Sequence, residues 1–123
     1  MQEMYISFYL KTNRIHIFVD SLRALDSPSR ICFMIEENGE TLMIAPYEKR
    51  DFKSHCVPPD VYCGTNCMEV NSIKLCHIIA GLHHWDLNCS YRVPGKIHKG
   101  LKVAIFFLTK AEAIDRFNAS QSE

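Results

Sequence analysis

A chain of 123 residues that is 47% hydrophobic and 23% charged is long enough for one real core and has ordinary globular composition, which excludes wholesale disorder. Fourteen basic side chains balance fourteen acidic ones, so the charge disfavours a general nucleic-acid binder, whose affinity comes from cations neutralising phosphates. The longest apolar run, 103–108, has six residues, well short of the ~20 that span a bilayer, so no membrane partner is expected.

The first twenty residues alternate in polarity and lack the apolar core of a signal peptide; Met4 reads as the natural start after a three-residue lead-in. Residues 5–10, aromatic and branched, predict a strand, Thr12-Asn13 a turn, and 15–19 a second strand. Asp20-Ser21 predicts the N-cap of a helix of barely two turns over 22–25, stopped by Asp26-Ser27-Pro28. Residues 31–37 and 41–46 flank Asn38-Gly39, a pair that favours a type I′ hairpin because both central positions take positive φ. A charged turn at 48–51 leads to a short strand over 52–57. The loop 58–66, with Pro58-Pro59 and Gly64, is the expected joint between two halves.

Residues 67–70 open the second half as a strand. Asn71-Ser72 caps a longer helix in which Leu75, Ile78, Ile79 and Leu82 hold the positions of a core-facing stripe, opposite Lys74, His77, Gly81 and His84. Trp85, the sole tryptophan, ends that stripe and is expected to cap the core. Residues 90–93 read as a strand, Pro94-Gly95 as a break, Lys99-Gly100 as part of a basic turn and 101–108 as a buried strand. Thr109-Lys110-Ala111-Glu112 matches a capping box for a short terminal helix, and 118–123 form a polar tail expected to be flexible.

The expected class is α+β: a largely antiparallel sheet with two helices on one face, in a single domain over 1–123. Phe18-Val19-Asp20-Ser21-Leu22 aligns with Glu69-Val70-Asn71-Ser72-Ile73. Each copy is followed by a strand, a turn and another strand, which suggests half-repeats at 5–57 and 67–117. A twice-used strand, short helix and antiparallel strands, from Ile15 to Leu108, resembles one domain of a DNA sliding clamp in element order. The resemblance implies a fold and not the clamp's activity. Helix one offers Arg23 beside Asp20 and Asp26, and helix two offers Lys74 with His77 and His84, too little positive charge to hold a duplex. The chain also has the general look of small proteins from Gram-positive bacterial genomes, which implies nothing about mechanism.

Six cysteines in a secreted protein would suggest disulfides; without an export signal, reduced thiols in a cytoplasmic protein are expected. Asn88-Cys89-Ser90 and Asn118-Ala119-Ser120 fit the glycosylation pattern, which matters only after secretion. Cys56, Cys63, Cys67 and Cys76, with His55 and His77 alongside, are the candidate zinc ligands, because zinc favours four thiolate or imidazole donors. The spacing lacks a Cys-x2-Cys knuckle, so unrelated buried or loop cysteines compete with this reading, and no cofactor is the favoured expectation. His77 and His84 lie roughly 10 Å apart along one helix, too far to share an ion. Cys63 with His55 or His84 would make a nucleophilic pair, but no oxyanion hole, phosphate loop or nucleophile elbow accompanies it. No catalytic residue is assigned, and an enzyme is the third reading.

Arg92, Lys96, Lys99 and Lys102, with His98, form a basic stretch free of acidic residues. Residues 61–123 carry seven basic and five acidic side chains, against seven and nine in residues 1–60. The functional reading is a contact for nucleic acid or an acidic partner. The competing reading is a solvated hairpin whose lysines protect an edge strand. Phe106 and Phe107 point to opposite faces of one strand, so one of them is exposed unless a subunit or the terminal helix covers it, and self-association follows. The expected function is therefore a non-catalytic interaction or accessory module, binding a protein partner or itself. The alternatives are nucleic-acid binding through the basic hairpin and a Cys/His metal-stabilised binding domain.

Overall fold

The computed structural model describes residues 4–64 and 67–114. Its strands are β1 (Met4–Tyr9), β2 (Arg14–Phe18), β3 (Arg30–Ile35), β4 (Thr41–Pro46), β5 (Ser54–Cys56), β6 (Cys67–Asn71), β7 (Ser90–His98), β8 (Val103–Phe107) and β9 (Glu112–Ala113). Helix α1 (Val19–Ala24) follows β2 and helix α2 (Ile73–His83) follows β6. The strands form one sheet in the order β5-β3-β4-β8-β7-β1-β2-β6, with β9 beside β7. Every pairing among the described residues is antiparallel. An α+β class with a mostly antiparallel sheet is thus observed.

Period-two alternation sets the register. Ile6 stands opposite Ile17 and Phe8 opposite Ile15, while Ile15 and Ile17 face Val70 and Met68 on β6. Leu42 faces Phe106 and Ile44 faces Ala104. All ten of these side chains are buried. A one-residue slip would turn each of these sets to the opposite face, so burial itself holds the register. Trp85 covers this layer as expected: its ring meets Phe8 edge-on at 5.4 Å and stacks on Tyr91 at 4.5 Å.

Several expectations are corrected. Helix α1 begins at Val19, three residues earlier than the Leu22 its cap signal predicts, with Phe18 at the N-cap and no side-chain cap bond. Ser21 is therefore inside the helix, buried, and its hydroxyl has no partner among the described residues. Ser72 is a true cap, its Oγ accepting from the Leu75 N–H at 3.1 Å. The two serines that aligned in sequence do different work.

In the β3–β4 connection Ile35 still pairs with Leu42, and the Glu36 N–H reaches the Thr41 carbonyl. Four residues follow before Thr41, and only Gly39, at φ 72°, takes positive φ, so this is a longer loop and not a two-residue I′ turn. The Pro94-Gly95 break is also absent. Strand β7 runs through both, because Pro94 falls where one flank passes from β9, at Tyr91 and Arg92, to β8, at Gly95 onward. A residue with no N–H is tolerated at such a gap. Gly95 is required by close approach: a Cβ there would sit 2.4 Å from the Ile105 carbonyl oxygen and 2.5 Å from Phe106 Cδ1.

The capping box does not start a helix at 109. Residues 108–110 make a single 3₁₀ turn, and Glu112–Ala113 instead pair with Arg92 and Tyr91 as β9. An open flank of β7 offers backbone partners that a solvent-exposed helix start does not. The tail 118–123 lies outside the described residues.

Candidate functional site

Helix α2 is turned by one residue from its expected face. Cys76, Ile79 and Ala80 are buried, whereas Ile78 and Leu82 are 43% and 51% exposed. Two small side chains, Cys76 and Ala80, thus lie on the packed side and let the helix approach the sheet closely. Ser72 starts the helix, and His84 ends it in the left-handed conformation with the Trp85 N–H returning to the Ala80 carbonyl. The His83 Nε2–H donates to the Gly39 carbonyl at 2.7 Å, tying the helix end to the β3–β4 loop.

That rotation creates a groove of about 220 Å³ lined by Phe33, Phe52, Lys53, His55, Ser72, Lys74, Leu75 and Ile78. Phe33 and His55, on neighbouring strands, meet edge to face at 5.1 Å. Phe52 is 91% exposed at its rim, and Ile73 is 63% exposed at the start of the same helix. Burial, and then the charge of Arg30, hold His55 below the ordinary histidine value, which favours a neutral ring. Lys53 and Lys74 are the charged lining residues, and no carboxylate lines the groove.

A second cluster lies on strands β2 and β6. His16 stands directly opposite Glu69, and Cys67 is diagonal to it, opposite Phe18. The His16 Nε2 is 3.0 Å from Glu69 Oε1, and Cys67 Sγ is 3.9 Å from His16 Nδ1. Arg14 reaches the same Glu69 oxygen at 3.5 Å. The Tyr9 ring leans on His16 with centroids 4.7 Å apart. Sequence alone suggests Cys63 with His55 or His84; the pair that the fold assembles is Cys67 with His16. A residue spacing of fifty-one hides it, and only the β2–β6 register reveals it.

The four candidate zinc ligands do not form a ligand set. Among the described residues no three His, Cys, Asp or Glu groups are placed to hold a metal ion. Cys76 is packed under α2, where burial pushes its thiol up to about 11, while Cys56 and Cys63 are exposed on β5 and after the 3₁₀ turn Pro59–Tyr62. None of the six cysteines is in a disulfide.

The basic stretch is partly engaged by the protein itself. Lys102 Nζ lies 2.8 Å from Asp26, and Arg92 lies 3.9 Å from Glu112 with its guanidinium over Tyr5. Lys96 and Lys110 sit over the Phe107 ring, which is half-buried, while Phe106 is fully buried. Lys99 is exposed in the turn. Among the described residues no helix is long and apolar enough to cross a membrane. The chain matches no family model, no curated protein and no solved structure.

Proposed function

We propose that this protein is a non-catalytic interaction module whose docking surface is the groove between α2 and strands β3 and β5. The observation that carries the reading is the exposed apolar pair Phe52 and Ile78, over a lining whose charged residues are both lysines. Exposing a phenylalanine so fully forfeits its burial free energy of about 1.5–3 kcal/mol, which a partner recovers on docking. The occupant is a segment of another protein with apolar anchors beside acidic residues, since those match the pocket and its lysines.

Selection of a random displayed-peptide library on the native protein tests this. The expected winners carry aromatic or branched anchors flanked by Asp or Glu, and they lose about tenfold or more in affinity for Ile78→Asp and for Lys53→Glu. Winners that bind Ile78→Asp and Phe52→Ser as well as the native chain overturn the proposal. So does a dimer, seen by light scattering, that dissociates in Ile78→Asp, because the occupant is then a second copy.

The architecture we infer beneath this module is a duplicated strand–helix–strand–strand unit, similar to one domain of a sliding clamp. The pairing scheme supports it. Exchanging β2, α1, β3, β4 and β5 with β6, α2, β7, β8 and β9 turns the β3–β4 and β3–β5 pairs into β7–β8 and β7–β9. The same exchange leaves β2–β6 and β4–β8 unchanged, and β1 stands outside it. A clamp's duplex-binding activity is not part of the reading: Arg23, the cation of α1, is turned to the Tyr62 carbonyl at 3.1 Å.

A further inference from the structure

We propose that Cys67 is a nucleophilic thiol, with His16 as its proton acceptor and Glu69 as the carboxylate that orients the ring, and that it exchanges with small anionic disulfides. Geometry carries the assignment. A carboxylate only accepts, so its 3.0 Å contact places the imidazole hydrogen on Nε2. Nδ1 then presents a lone pair to the Cys67 thiol at 3.9 Å, a contact of the loose kind that tightens as a reaction begins. Nucleophile, base and orienting group thus lie in line across two adjacent strands, which is the signature of an activated nucleophile. Placement on paired strands also holds the three side chains on rigid backbone.

The adjoining surface selects the substrate class. His16 and Glu69, but not Cys67 itself, line a groove of about 330 Å³ together with Tyr9, Lys11, Thr12, Arg14 and Ser90. Lys11 and Arg14 supply positive charge, Arg14 also contacting Glu69, and Thr12 and Ser90 supply hydroxyls. A disulfide carrying carboxylates fits this lining better than a neutral one. In the exchange the Cys67 proton passes to His16 Nδ1 and the thiolate attacks one sulfur of the disulfide. A bond forms between Cys67 Sγ and that sulfur while the original sulfur–sulfur bond breaks. The other half leaves as a thiolate and takes up the proton from His16, so the Cys67 sulfur is oxidised by one level as the departing sulfur is reduced by one, and no outside oxidant or reductant is needed.

The other thiols provide the internal control. Cys56 and Cys63 are more exposed than Cys67, but no histidine contact like that from His16 to Cys67 reaches either among the described residues. Burial disables Cys76 and raises Cys32. Accessibility alone therefore ranks Cys56 and Cys63 first, and the proposal ranks Cys67 first.

The experiment follows modification of the folded full chain by the dianionic nitrobenzoate disulfide DTNB, and by a neutral dipyridyl disulfide, with each site assigned by peptide mass spectrometry. At neutral pH Cys67 is expected to react about tenfold faster than Cys56 or Cys63. His16→Gln is expected to slow it about tenfold, with the difference vanishing near pH 10, where ordinary thiols are ionised without a base. Glu69→Gln is expected to slow it about threefold, and Lys11→Glu to slow the dianionic probe but not the neutral one. Circular dichroism of each variant confirms the fold, and Glu69→Gln carries the test if His16→Gln does not fold. Cys67 reacting no faster than Cys56 and Cys63, or at an unchanged rate in both variants, overturns the proposal.

Discussion

His55 sits on the short strand β5 with its ring against Phe33 and its charge state set by burial and by Arg30. Both influences disfavour the imidazolium, so the folded protein binds a proton at this site less readily than the unfolded chain does. The stability it contributes is fully present above the ordinary histidine value of 6.5 and is lost as pH falls through that value and on through the lower folded one. Urea denaturation from about pH 7 to about pH 5 should therefore show a loss of stability that is smaller in His55→Gln. An equal loss in both proteins removes His55 as the source. His55 also lines the groove proposed for docking, which links the residue to the module's function.

At the scale of elements, the two helix starts show how far a local pattern reaches. Asp20-Ser21 and Asn71-Ser72 look alike, yet only Ser72 caps, through its bond to the Leu75 N–H. Substituting Ser72→Ala should cost about 1 kcal/mol in denaturant unfolding, because the cap bond satisfies an otherwise orphaned donor. Ser21→Ala should be neutral or mildly stabilising, because it removes a buried hydroxyl that has no partner among the described residues. Equal costs at the two positions would show that α1 is capped by Ser21 after all. The helix face of α2 carries the same lesson. Apolar residues at 75, 76, 78, 79, 80 and 82 surround most of the helix, so periodicity alone admits two neighbouring stripes, and the smaller side chains decided which one faced the sheet.

For the whole molecule, the sheet order puts β1, β7 and β8 inside and leaves β5, of three residues, and β6, of five, at the two ends of the path. Amide exchange in the native state should follow that order, slowest in β1 and β7 and fastest in β5, since an edge strand opens without breaking a second ladder. Protection of β5 equal to that of β1 would mean that a partner or a second copy covers this edge. The groove lies between β5 and α2, whereas the thiol cluster lies on the strands β2 and β6.

Local chemistry alone determined most of the strands, the span and cap of α2, the place of Trp85 and the α+β class, because alternation, a cap serine and a large aromatic ring act over a few residues. Tertiary structure decided the rest. The continuity of β7 through Pro94-Gly95 depends on which strand lies beside each residue, and the pairing of Glu112 with Arg92 depends on an open flank supplied by a distant segment. The alignment of Cys67, His16 and Glu69 depends on the register of β2 against β6. Contacts between residues about fifty apart carry no periodic signal in the chain; they exist only once burial of the inner layer has locked the strands in place.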